Sequence, residues 1–85
     1  MDDLPQLRKK IDHIDDAIVT LLAKRFAIVK TIGKYKKLHK LPAFDIVRRK
    51  KVLQSRLRTG YKKGLSEKII TDIRKNIHKE SLRIQ

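Results

Sequence analysis

Residues 4–35 read LPQLRKKIDHIDDAIVTLLAKRFAIVKTIGKY, and this stretch decides the fold. Taken at spacings of three and four, it yields Leu4, Leu7, Ile11, Ile14, Ile18 and Leu21, then Arg25, then Ile28, Ile32 and Tyr35. A three-four alternation sustained this long is one face of a long α-helix, and an apolar face of that kind requires burial. Arg25 fills the one polar slot between Leu21 and Ile28. A guanidinium keeps its proton, so on a buried face it needs an anion or a dense set of acceptors. The chain holds nine Asp and Glu against twenty-three Lys and Arg, a formal net charge of +14. A buried anion supplied from outside the chain follows as a serious candidate.

Working outward, Pro5 suits the first turn of this helix, where its missing N–H is not required. The pattern runs to about Lys40, interrupted by Gly33, which costs about 1 kcal/mol relative to Ala. Leu41-Pro42 ends it, because the residue before a proline is pushed out of the α region. Asp45 is placed as N-cap or first-turn residue of a second helix, which reaches about Thr59 and is stopped by Gly60. Gly60-Tyr61-Lys62-Lys63-Gly64 then reads as a loop. Ser66 offers the N-cap of a third helix running to the C-terminus, with Glu67 well placed against the helix dipole. No stretch reads as a strand, a repeat or a low-complexity tract. The expectation is an all-α, three-helix protomer with one long N-terminal helix, forming a single domain over residues 1–85.

That first helix is too long for its own domain. About 35 residues at 1.5 Å rise make a rod of roughly 50 Å. A compact chain of this size has a radius of gyration near ~12 Å, hence a diameter of roughly 30 Å. Two shorter helices cannot cover so long an apolar stripe. A homodimer with the long helices paired is the economical solution.

The other two helices also interrupt their apolar lines with polar groups. In the second, Arg49 falls between Ile46 and Leu53 on the line that continues to Leu57, with Asp45 and Arg48 one position to the side. In the third, Ser81 is the missing member of the line Ile70, Ile73, Ile77, Ile84, and Gln85 lies one turn further on. If the helices pack together, these interruptions converge. Arg25 and Lys36 are eleven residues apart, which sets them about 20° apart around the helix and ~16 Å apart along it. Their long side chains can lean toward each other around a small molecule. Arg8 lies roughly 100° away from Arg25 around the axis and would serve a different partner, such as the site of a second protomer.

Composition excludes several other chemistries. Without cysteine there is no disulfide framework and no thiolate chemistry, as suits a cytoplasmic protein. His13, His39 and His78 have no metal-ligand spacing among themselves or with acidic residues, so no metal site is expected. No Ser-His-Asp or Gly-rich phosphate signature is present. The acidic N-terminus, Met1-Asp2-Asp3-Leu4-Pro5, lacks the apolar core of a signal peptide, and no run approaches the ~18 apolar residues of a membrane span. The basic runs Lys34 to Lys40 and Arg48 to Lys51 have the electrostatic footprint of a nucleic-acid surface. Phe26, Tyr35, Phe44 and Tyr61 form no stacking platform beside them, and the runs read as solvated faces with no specific nucleic-acid partner.

The chain resembles the all-helical, AroQ-type chorismate mutases, over essentially its whole length from Leu7 to Gln85. The resemblance is carried by Leu7-Arg8-Lys9-Lys10-Ile11-Asp12 with Ile14-Asp15, by Leu21-Leu22-Ala23-Lys24-Arg25, and by Gly33-Lys34-Tyr35-Lys36. Pro42 followed by Asp45-Ile46-Val47-Arg48, and Glu80-Ser81 with Gln85, complete it. It implies an intertwined homodimer of three-helix protomers with two sites, each borrowing a residue from the neighbour. Carried over by position, Arg8 would clamp a substrate carboxylate across the interface. Arg25 would grip a carboxylate within its own chain, assisted by Arg48. Lys36 would donate to the ether oxygen of the breaking bond, with Gln85 as second donor. Ser81 and Asp45 would make lesser contacts near the substrate carboxylate and hydroxyl. The implied activity is conversion of the dianion chorismate to prephenate in the shikimate pathway toward aromatic amino acids, without cofactor or metal.

That chemistry agrees with the residues. A unimolecular rearrangement needs no nucleophile; it needs a dianion held in the reactive conformer and stabilisation of the charge that grows on the ether oxygen. Arg49 departs from the pattern, because the family normally carries a glutamate there to accept from the ring hydroxyl. A cation at that contact could weaken mutase activity, shift preference toward isochorismate, or swing out to solvent. An isochorismate pyruvate-lyase-like enzyme on the same scaffold is therefore the alternative. From a different class, the alternative is a basic helical nucleic-acid-binding dimer.

Overall fold

The structure, a computed structural model, describes residues 3–85; Met1 and Asp2 of the acidic N-terminal reading lie outside the described residues. Three helices make up the fold: α1 (Leu4–Leu38), α2 (Ile46–Lys62) and α3 (Glu67–Ile84). Among the described residues there is no strand. The N-termini form where short polar side chains satisfy the unpaired N–H groups of a first turn. Asp3 caps α1 in a reciprocal capping box with Gln6, with Pro5 in the first turn. The Asp45 carboxylate accepts from the Arg48 N–H at 3.0 Å, and the Ser66 hydroxyl from the Ile69 N–H at 3.2 Å.

The C-termini correct the sequence reading. α1 ends at Leu38, not Lys40, and α2 continues through Gly60 to Lys62. Both close in a Schellman arrangement: the Leu41 N–H donates to the Lys36 carbonyl at 2.7 Å, and the Leu65 N–H to the Gly60 carbonyl at 2.8 Å. The residue this motif puts in the left-handed region is Lys40 in the first case (φ 55°) and Gly64 in the second (φ 80°). Gly64, not Gly60, is thus the glycine that stops α2.

Gly60 has another purpose. Helix α3 packs on both α1 and α2, whereas α1 and α2 do not pack on each other. The two crossings pass over buried glycines. A Cβ on Gly60 would lie 2.7 Å from Ile70 Cγ1, and one on Gly33 would lie 3.1 Å from the Cα of Gln85. Each glycine lets a neighbouring element approach closer than any side chain would allow.

The apolar stripe of α1 is the second correction, because within one chain it is not buried. Ile11 and Ile14 are each 59% exposed, and Leu4, Leu7, Ile18, Leu21, Ile28, Ile32 and Tyr35 are exposed as well. The face that meets α3 is turned by one residue: Val29 and Gly33 are buried, and Leu22, Phe26 and Lys36 are half-buried. The outcome is a rod of 56 × 24 × 15 Å with a radius of gyration of 16.3 Å, against the ~12 Å of a compact chain this size. No described helix is long and apolar enough to cross a membrane.

Candidate functional site

Because α3 holds α1 and α2 without letting them touch, a cavity of about 330 Å³ opens between the three helices and the segment Ala43–Asp45. That volume suits a small organic ligand. Arg25 and Lys36 reach it from α1, Arg48 and Arg49 from the first turn of α2, Ser81 and Gln85 from the end of α3, and Asp45 from the cap between. Seven of the eight residues singled out in the sequence thus line one space. Arg8 does not. It lies on the far half of α1, in a shallow depression with Leu4, Leu7, Ile11 and Asp12.

The inward groups of α1 and α3 are held by one another and by the loop. Arg25 donates from Nη1 to the Ser81 hydroxyl at 3.1 Å, and Ser81 is buried with 8% exposure. Lys36 Nζ donates to the Ala43 carbonyl at 2.8 Å and, more weakly, to Gln85 Oε1 at 3.4 Å. An ammonium has three N–H groups, so one is left for a ligand. The Gln85 carboxamide, with its oxygen toward Lys36, keeps its NH₂ available as a donor. Asp45, whose carboxylate is engaged by the Arg48 N–H, is the only acidic side chain among the described residues that lines the cavity.

Beside apolar residues such as Val29 and Leu82, the lining includes Phe44, Arg56, Arg74 and His78, which lie outside the sequence expectation. The signal for three of them was present. Arg56 is seven residues beyond Arg49, and Arg74, His78, Ser81 and Gln85 follow at four, three and four. Reading α3 for its isoleucines selects the adjacent line and passes over this polar one. Phe44, in an irregular segment, has no periodicity to betray it. In the fold its ring lies 5.1 Å from that of His78 and 5.8 Å from the Arg49 guanidinium carbon.

The cavity is electrostatically unbalanced. Burial, then Arg56 and Arg48, lower the proton affinity of Arg25. Burial, then Arg25, Arg56 and Arg48, do the same to Arg74. Arginine does not deprotonate in practice, so these shifts express first the burial of charge and second the mutual repulsion of the cations, and an anion would relieve both. His78 is pushed below the ordinary imidazole value by burial and by Arg49 and Arg74, which makes it a neutral group near pH 7. No cluster of His, Asp and Glu that could hold a metal occurs among the described residues.

Comparison with known proteins accords with this arrangement. The family model for chorismate mutase type II matches residues 7–85. The T-protein of Haemophilus influenzae is 36% identical over 81 residues, covering 95% of this chain and 22% of that protein. The bifunctional chorismate mutase/prephenate dehydratase of Buchnera aphidicola is 37% identical over 83 residues, covering 98% and 22%. The T-protein of Enterobacter agglomerans is 33% identical over 79 residues. The chain spans about a fifth of the length of these relatives. An all-helical chain, a cation-lined cavity and a match over all but its first six residues lead to one conclusion: this chain belongs to the chorismate mutase type II family.

Proposed function

We propose that the chain converts chorismate to prephenate, as an intertwined homodimer in the cytoplasm, and that Arg8 of each copy completes the cavity of the other. The observation that carries this reading is the convergence of Arg25, Lys36, Arg48, Ser81 and Gln85 on one cavity, with Asp45 as its only acid among the described residues. The substrate is a dianion, and the reaction breaks one C–O bond and forms one C–C bond within it. Arg25, oriented by Ser81, and Arg48 grip carboxylates through charge-assisted bonds. Arg8 of the second copy adds a third clamp. Together they hold the flexible side chain of the substrate over its ring, which removes most of the entropic part of the barrier. The free N–H of Lys36 and the NH₂ of Gln85 donate to the ether oxygen. As C–O cleavage leads, negative charge grows there, and both bonds strengthen toward the transition state.

The dimer is supported by the exposed stripe on the first half of α1 and by the 56 Å length of the rod. A contiguous row of exposed large apolar side chains is the kind of surface that marks an interaction site. Incubation of the purified protein with chorismate and with isochorismate, followed by product identification, tests the activity. Prephenate from chorismate is the expected result; the absence of turnover on chorismate would refute the reading.

One residue favours a second reading. Arg49 lines the cavity where the family resemblance implies a glutamate, and a cation there cannot accept from a ring hydroxyl. An isochorismate pyruvate-lyase-like reaction accommodates that change. Arg49→Glu separates the two: a mutase gains activity on chorismate, by about threefold to tenfold, because an acceptor returns and repulsion falls. An enzyme that uses Arg49 loses activity on its own substrate instead.

A further inference from the structure

The main cavity has a smaller annex. Between α2 and α3 lies a cavity of about 110 Å³, lined by Arg49, Leu53, Thr71, Arg74, Lys75 and His78. Arg49, Arg74 and His78 are shared with the main cavity and form the wall between the two. Three cationic residues, a threonine and a histidine thus line a space of oxyanion size, and no carboxylate among the described residues lines it. Nor does an ion pair join Arg49, Arg74 or Lys75 to a carboxylate among the described residues.

The charge count points the same way. Six cationic side chains and one carboxylate line the main cavity, so a bound dianion leaves three positive charges uncompensated. Arg8 of a second copy would add a fourth. Arg25 and Arg48 suffice to grip two carboxylates and Lys36 serves the ether oxygen; Arg49, Arg56 and Arg74 are left over, and of these Arg49 and Arg74 also line the annex. We propose that the annex is a second anion site, which takes a small oxyanion of the phosphate or carboxylate class beside the ligand of the main cavity. Arg49 and Arg74 bind it through charge-assisted bonds, Lys75 supplies a third positive charge, and Thr71 and neutral His78 donate to its remaining oxygens. Occupancy draws Arg49 and Arg74 toward the annex and reduces the excess positive charge on the main cavity. The charge count rests on the dianion reading of the main cavity; the lining of the annex does not.

Two sources could supply the oxyanion: a free ion, or an acidic group carried on a longer ligand that spans both cavities. Titration with inorganic phosphate, followed by ³¹P line broadening at ionic strength held constant with sodium chloride, addresses the free ion directly. Saturable phosphate binding is expected, weakened about fivefold or more in a Thr71→Val/Lys75→Gln variant and retained in Lys51→Gln, which removes an equal charge from α2, outside the annex. Equal weakening in both variants would reduce the effect to the general field of a +14 chain and overturn the site. Non-saturable binding would overturn it too. Displacement of phosphate by chorismate would show one continuous site and overturn the separation. The phosphate readout needs no turnover, so it stands or falls apart from the mutase reading.

Discussion

The two halves of α1 carry one pattern and meet two different fates. From Leu22 to Leu38 the helix lies against α3, with Val29 and Gly33 buried and Arg25 and Lys36 turned into the cavity. From Leu4 to Leu21 no neighbouring helix lies alongside; the stripe is exposed there, as it is at Ile28, Ile32 and Tyr35, and Arg8 lies in a shallow depression away from the cavity. A repeat of apolar positions states that a face is to be covered. It does not state what covers it, because the hydrophobic effect is non-directional and answers only to area removed from water. The line through Val29 and Gly33 belongs to this chain's own core; on the proposed dimer, the exposed stripe is assigned to a second copy.

The strongest way to break that assignment is Ile14→Asp. A charge on the exposed stripe costs nothing in a lone chain but cannot be buried in a dimer interface without a partner. Sedimentation equilibrium should show the wild-type chain at twice its mass and the variant as a monomer, with loss of activity. Val29→Ala, on the other half, should keep the dimer and cost about 2 kcal/mol in denaturant unfolding. A wild-type monomer with full activity would end the comparison.

Next in size are the arginines, one from each half. Arg8→Ala and Arg25→Ala should each lower kcat/KM by about 10²–10³, the loss typical of one preorganised charged donor. Mixing the two inactive proteins under exchange conditions should restore part of the activity, since one site of each heterodimer keeps both arginines. Exchange without recovery would place both arginines in the same chain's site.

The glycines sharpen the account of the half that packs. Gly60→Ala forces a Cβ to within 2.7 Å of Ile70 and should destabilise by about 1–3 kcal/mol, with little effect on kcat once folded. Gly33→Ala presses on Gln85, a donor at the site, and should lower kcat by about tenfold while stability changes less. If the two variants differ only in stability, Gln85 is not held by that crossing.

The smallest expected effect is a pH slope. The native state depresses the proton affinity of His78, through burial and through Arg49 and Arg74, so the unfolded chain binds the proton more readily. Stability should be complete above the ordinary imidazole value of 6.5 and fall as the pH drops below it. His78→Gln should flatten this slope between about pH 7 and 5, measured by denaturant midpoints. An unchanged slope would assign the acid sensitivity to other groups.

Arg25, Lys36 and the caps Asp45 and Ser66 were legible because each depends on neighbours close in sequence: a helical period or the first turn of a helix. Gly60 was misread for the same reason. A glycine that ends a helix and one that admits a neighbouring helix look alike locally, and the contact with Ile70 that distinguishes them spans ten residues of chain and a turn. Arg74 and His78 went unread because α3 has two adjacent lines, one of isoleucines and one polar. Only the crossing with α1 and α2 decides which faces the cavity.

What this sequence determines by itself is a set of local necessities: three helices, their caps, a stripe that demands cover, and cations that demand an anion. Each follows from hydrogen bonds and side-chain spacing within a few turns, so a one-dimensional reading suffices. What the tertiary structure decides is convergence. Helix α3 holds α1 and α2 apart, opens the cavity between them, and turns Arg49, Arg56 and Arg74 onto the same space as Arg25 and Lys36. That outcome depends on the angle and closeness of two helix crossings, set by Gly33 and Gly60 against Gln85 and Ile70. Close packing fixes such angles through contacts between residues far apart in the chain, and no local period encodes them.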